Sequence, residues 1–430
     1  MKLLPLNIVC LLLAITITGT AQTGPVPVFK GGIKANREKA YNSTLKYSII
    51  ENLSVPLSDS TEAYWEDAFD AMELIGYKQP WVNEKIKTAF TNIEKRSGGF
   101  QQALMQLLYT NYTTEFRDNI NTLFLKTRNA KVFAICANYL LRADGSLKNL
   151  DRIVSIIYKA PIDSFENPVM ASFIQYETLW PMMQKVEKEY AKIKLKPGQL
   201  LNKDFLKNNI VVFSIQRKNR NYPGLVIVRD RNGNFIKNAN DSFFAVPQLA
   251  RSITNMPGYI TNGNTPQGIF RMYGFAVSKS AALGPTENLQ LTMPYETSVQ
   301  HFLKDSTIKD SAWTPERYLQ LLPEALQKYH PLTGTYYASA IGRTEIIAHG
   351  TTVDPDYYKG QTYYPYTPTA GCLCTREIWS GIDGTRTISD QQLLVDAVKK
   401  AGGADGYVVV FEIDDQQKPV SLKEVLPYLK

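Results

Sequence analysis

The sequence predicts an α+β multidomain protein, in which an N-terminal α-helical, solenoid-like domain precedes a mostly β domain with inserted helices. Two patterns lead to it. Apolar residues recur at helical spacing from about Asp59 to Trp180, and β-branched runs separated by turn signals dominate after Pro197-Gly198. Size is the third observation: 430 residues, 44% hydrophobic and 20% charged, leave room for two or three globular domains.

The first residues read as a targeting segment. Met1-Lys2 is a short basic start, Leu3 to Thr18 is mostly apolar, and Gly19-Thr20-Ala21 supplies small residues for cleavage. A secretory signal peptide over 1–21 is therefore expected, which predicts an exported, periplasmic or cell-envelope protein. No later stretch approaches about 20 uninterrupted apolar residues, so no stable membrane span is expected after cleavage. Cleavage removes one lysine and no acid, taking the net charge from +8 to +7. That excess suits an anionic partner and simple solubility equally. No nucleic-acid partner is expected.

The helical domain is assigned to 25–200. Asp59 is the expected cap of its first helix, with Glu62 three residues on as reciprocal acceptor. Val82, Ile86, Ala89, Phe90 and Ile93 share a helical face. Four more stripes follow, built on Phe100/Leu104/Leu108, Phe116/Ile120/Phe124, Val132/Cys136/Leu140 and Leu150/Ile153/Ile157. Their spacing of roughly 15 residues suggests paired antiparallel helices. Cys136 lies on an apolar face and reads as a core thiol. A Lys/Glu-rich tail, Lys185 to Lys196, ends at Pro197-Gly198, the expected boundary.

The second domain is assigned to 205–430. Ile210–Phe213 and Leu225–Val228 are β-branched runs, and Asn232-Gly233 is a turn signal into Phe235-Ile236. Thr314-Pro315-Glu316 reads as a helix cap and first turn, with Pro323 bending or splitting the helix. A strand is expected over Thr344–Ala348, a helix from Ser389 to Gly402, and a buried strand over Tyr407–Ile413.

After signal cleavage three cysteines remain, Cys136, Cys372 and Cys374. An odd count leaves at least one thiol free, and a free thiol in an oxidising compartment needs a reason. All three histidines, His301, His330 and His349, precede Cys372. His301 and His330 are expected at the surface. An imidazole beside a thiol can take its proton and stabilise the thiolate. Gly371 removes a Cβ beside the nucleophile, letting the backbone turn and present N–H groups to an oxyanion. With three scattered histidines and no acid–histidine cluster, no metal or organic cofactor is expected.

Three motifs, in order, carry a resemblance: Thr265-Pro266-Gln267-Gly268-Ile269-Phe270, then Ile346-Ile347-Ala348-His349-Gly350-Thr351, then Thr369-Ala370-Gly371-Cys372-Leu373. Over roughly residues 205–415 the chain resembles the L,D-transpeptidase (YkuD-like) family, as a divergent branch. The resemblance implies a catalytic domain with Cys372 as nucleophile and His349 as base, and oxyanion contacts from the backbone at Gly371 and Leu373. It further implies substrate contacts at Gly350, Thr351, Thr369, Arg376 and Cys374. The substrate implied is a peptidoglycan stem peptide, cleaved after its third residue, with transfer to an amine or to water. The same fold could serve an L,D-carboxypeptidase or an inactive wall-binding scaffold. Two positions depart from the family pattern: Ala370 replaces a histidine, and Cys374 replaces an asparagine or arginine, for which Arg376 is the expected substitute. The loop before Cys372 carries Tyr357, Tyr358, Tyr363, Tyr364 and Tyr366, available for substrate stacking or for packing. Cys374 is expected to stay a free thiol, either shaping the pocket or filling space.

Overall fold

The computed structural model describes residues 26–144, 147–186 and 193–429. The expected signal peptide at 1–21 and residues 187–192 of the expected helix tail lie outside the described residues. The structure is mixed α/β, with helices through the first half and an eight-stranded sheet in the second.

The helices run Glu62–Leu74, Pro80–Ala89, Gly98–Asn111, Arg117–Lys126, Ala130–Asp144, Leu147–Lys159 and Pro168–Val186. The predicted stripes are their buried faces: Phe100, Leu104, Leu108, Ile120, Val132, Cys136 and Ile157 all join one apolar cluster. Each such large aliphatic or aromatic side chain contributes about 1.5–3 kcal/mol by leaving water. Two local readings change. The first of these helices starts at Glu62 with Thr61 at its cap, while Asp59 stays in the preceding turn and pairs with Arg96 at 2.8 Å. Glu62 instead accepts from the Ser97 N–H at 3.2 Å, tying two helices together. A further helical stretch, Lys34–Ser43 continuing through Thr44–Glu51 and Asn52–Ser54, escaped the periodicity because Lys34–Ser43 has no buried residue to mark a stripe.

The strands are β1 (Ile210–Arg217), β2 (Gly224–Arg229), β3 (Val246–Gln248), β4 (Gly268–Ala276), β5 (Asn288–Thr292), β6 (Ala348–His349), β7 (Leu373–Cys374), β8 (Glu377–Trp379), β9 (Arg386–Ser389) and β10 (Asp405–Asp414). The order in the sheet is β3-β2-β1-β10-β4-β5-β6-β7, with β8–β9 as a separate hairpin. β1 runs parallel to β10 and β6 parallel to β7; the other neighbours are antiparallel. Leu249, just past β3, exchanges two backbone hydrogen bonds of 2.8 Å with Cys374 of β7. The two edges therefore meet, which satisfies backbone groups an open sheet would expose. Alternation gives the sheet two apolar faces. Val212, Val226, Phe270, Leu289, Ala348, Leu373 and Val410 pack with the Asp390–Lys400 helix, and Val211, Phe213, Ile227, Ile269 and Val409 pack on the opposite side.

Gly198–Leu201 is a short helix whose Leu200 and Leu201 are buried in the second of these sheet clusters, so Pro197-Gly198 begins packed structure. The halves also interlock. Met256, Tyr259, Ile260 and Ile341 enter the helical cluster, and the Tyr259 hydroxyl lies 2.7 Å from both Asn138 and Thr178. His330, expected at the surface, is buried between the halves. Its ring packs on Trp180 with centroids 3.8 Å apart and its Nε2 lies 3.2 Å from Glu177. The partner carboxylate and ring come from a segment 150 residues upstream, which local sequence does not reveal. Among the described residues, no helix is long and apolar enough to cross a membrane.

Candidate active site

Cys372 ends a tight turn that leads into β7. The Thr369 hydroxyl ties the turn: it accepts from the Gly371 N–H at 3.0 Å and donates to the Cys372 carbonyl at 2.9 Å. Thr265, from the first motif, donates to the Gly371 carbonyl at 2.8 Å. Gly371 is at φ 120, and a Cβ there would lie 2.0 Å from Arg343 Nη2 and 2.6 Å from the Gly263 carbonyl oxygen. Only glycine fits both the dihedral and the space.

β6 and β7 set His349 beside this turn. Ala348 pairs with Leu373 and His349 with Cys374, so Ala348 and Leu373 point into the sheet core while His349 and Cys374 share the other face. Cys372 stands two positions before Cys374, diagonal to His349 across adjacent strands. Among the described residues, no hydrogen bond joins the two side chains directly. The Cys372 thiol instead lies 3.6 Å from the carbonyl oxygen of Glu345. Glu345 is in the left-handed region at φ 62, with its N–H held by Glu296 at 2.8 Å.

His349 is buried, and its Nδ1 faces the Gly350 carbonyl oxygen in a short hydrogen bond. A carbonyl can only accept, so Nδ1 carries the proton and Nε2 holds the basic lone pair. Burial lowers the imidazole pKa below its ordinary value, against the opposing effect of the Gly350 bond, and so favours the neutral ring. Burial likewise raises the Cys372 thiol; the Ile347 backbone and the Arg343 charge pull it back down, and Glu345 adds to the rise. The resting pair is a thiol and a neutral imidazole, which calls for a base to deprotonate the thiol during reaction.

Arg343 is the residue the motifs did not indicate. It is 2% exposed, and its guanidinium donates to three backbone carbonyls: Gly258, Asn264 at 2.8 Å and Gly263 at 2.6 Å. Burial lowers its pKa to about 10, which leaves it charged at neutral pH next to the Gly371–Cys372 turn. The only sequence signal was Gly342-Arg343 upstream of the histidine motif; the carbonyls that hold it come from a loop about 80 residues away.

The other expected positions divide. The Gly371 and Leu373 N–H groups are spent on Thr369 and on the Ile347 carbonyl at 3.0 Å, so neither is free for an oxyanion. Among the described residues no acceptor is paired with the N–H of Cys372 itself. Gly350 is glycine because Glu377 packs on it, with Oε2 2.2 Å from an added Cβ. Thr351 is buried, its carbonyl accepting from Trp379 Nε1 at 2.8 Å. Arg376 is paired with Asp390 at 3.1 Å. Ala370 is exposed, two positions before Cys372. Cys374 is 1% exposed, and burial pushes its thiol up to about 12, favouring the space-filling role. Tyr358 and Tyr363 pack on Leu249 in a small apolar cluster, so these two tyrosines serve the loop's own packing.

Cys136, Cys372 and Cys374 are all unbridged, and only Cys372 is partly exposed. Ellman's reagent is therefore expected to find one rapidly reacting thiol in a folded chain lacking residues 1–21 and three after its denaturation. A fast native reaction that survives Cys372→Ala would contradict this assignment.

Among the described residues, no group of three or more His, Cys, Asp or Glu side chains is arranged to hold a metal ion. Comparison of the chain with protein-family models, with curated proteins and with solved structures finds no match.

Proposed function

We propose that the chain is an exported cysteine acyltransferase of the L,D-transpeptidase type, acting on peptidoglycan stem peptides. The proposal includes the finer architecture: a solenoid-like helical unit over 25–200, then a YkuD-like catalytic unit over 205–430. The observation that carries it is the locked tautomer of His349, whose basic Nε2 belongs to a neutral ring one strand away from a partly exposed cysteine. In the proposed reaction, Nε2 takes the Cys372 proton as sulfur attacks the carbonyl of the third stem residue. The tetrahedral oxyanion collapses to a thioester, and the departing amine of the terminal D-amino acid takes the proton from His349. An amine of a second stem then attacks the thioester and yields a cross-link; water instead yields a shortened stem. The N–H of Cys372 and the buried charge of Arg343 are the proposed stabilisers of the oxyanion.

The deciding experiment is incubation with defined muropeptides, with products read by mass. Loss of the terminal residue, with or without a cross-linked product, supports the proposal. An inert protein that still binds muropeptides favours the scaffold reading, for which Ala370 and the absence of a direct Cys372–His349 bond speak.

The pH dependence follows from the signs above. His349 is an effective base only when neutral, and its pKa lies below 6.5. Thioester formation is expected to fall on acidification as Nε2 gains a proton, at a lower pH than for an ordinary solvent-exposed imidazole. A fall already complete at pH 7 would remove the neutral imidazole from the mechanism.

A further inference from the structure

A second cleft lies between the Lys34–Ser43 helix and the loop that follows Thr351. Its volume is about 440 Å³, within the range of small-ligand sites. The helix buries none of its own residues, yet Lys34, Arg37, Glu38 and Tyr41, spaced i, i+3, i+4, i+7, all line this cleft. Opposite them stand Asp356 and Tyr357. The two tyrosine rings are 6.0 Å apart and inclined at 43°, an open aromatic wall that is not a closed stack. Arg37 is anchored to Asp354 at 2.6 Å, and its Nε, shielded from solvent, has no hydrogen-bond partner among the described residues.

The lining selects the class of ligand. Carboxylates of Glu38, Asp354 and Asp356 oppose an anion, and the charges of Lys34 and Arg37 oppose a cation. A hydroxyl both donates and accepts, so it satisfies carboxylates and guanidinium together. The C–H face of a pyranose covers a tyrosine ring without losing hydrogen bonds. We infer that this cleft is a saccharide-binding subsite that takes a short neutral oligosaccharide. The inference stands on the cleft's own residues and does not depend on the chemistry of Cys372.

The test is calorimetric titration of the full exported chain with chitotetraose and, separately, cellotetraose, the pair reporting whether acetamido groups matter. Saturable binding of either sugar is expected, unchanged in Cys372→Ala. It should weaken about tenfold in Tyr41→Ala, the size of one lost aromatic contact. Tyr41 is 37% exposed on the helix surface, so that variant should keep its melting temperature. Asp356→Ala, on the facing loop, should weaken binding independently. Failure of both sugars to bind, or binding untouched by both variants, overturns the inference. Loss of binding in Cys372→Ala alone would move the sugar to the cysteine site and overturn it as well.

Discussion

Cys372→Ser is expected to abolish thioester formation and stem-peptide turnover while the chain stays folded. The hydroxyl is far less acidic than a thiol, and His349, whose Nδ1 is held by a backbone carbonyl and not by a carboxylate, lacks the partner that supports serine activation. The thiol is partly exposed and lies 3.6 Å from the Glu345 carbonyl oxygen, a contact a hydroxyl can also make, so a serine keeps the local structure. Intact mass after incubation with a carbapenem reads the covalent step directly: an adduct is expected on the parent chain and none on the variant. An adduct of equal yield on the serine variant would assign the nucleophile elsewhere. His349→Ala should lower the rate roughly 10²–10⁴-fold, the usual worth of a general base.

Arg343→Met should produce the largest combined loss. Removing the guanidinium leaves the carbonyls of Gly258, Gly263 and Asn264 buried without donors, at roughly 1–3 kcal/mol for each that finds no water. A markedly lower melting temperature is therefore expected. The thiol should also lose the positive charge that holds its pKa down, so alkylation of Cys372 by iodoacetamide should slow at fixed pH. Arg343→Lys separates the effects: the charge remains, but a single ammonium cannot span three carbonyls. It should lose stability yet keep most of the thiol reactivity. An unchanged alkylation profile in the methionine variant, measured where it is still folded, would remove Arg343 from the electrostatics of the site.

Much of the local structure is legible from local rules. The stripes from Phe100 to Ile157 are buried because a period of 3.6 puts apolar residues on one face whatever lies opposite. Ser389 and Thr314 cap their helices as read, with side chains accepting from Gln392 and Arg317 N–H groups. Gly371 and Cys372 stand out in the sequence through the ordered motifs that carry the family resemblance and the odd number of thiols left after residue 21. The bonds that complete the site were hidden for a common reason. Arg343 gains meaning only from the carbonyls of residues 258–264, and Gly350 only from Glu377. Cys374 gains its burial from Leu249, 125 residues upstream, across the seam that joins β3 to β7.

Sequence by itself marked the apolar helical stripes from 82 to 157, the strands around 210–213, 225–228 and 407–413, and which cysteine and histidine are candidates for chemistry. These follow from periodicity, caps and side-chain type, which act over a few residues. Tertiary structure alone decided that Cys374 is sealed in a sheet seam, that His330 lies in the interface between the halves, and that an arginine stands behind the nucleophile turn. It also decided that the Gly371 and Leu373 amides are already bonded. Each of these depends on desolvation and hydrogen-bond partners supplied by distant parts of the chain, and such partners leave no periodic trace in the sequence around the residue they control.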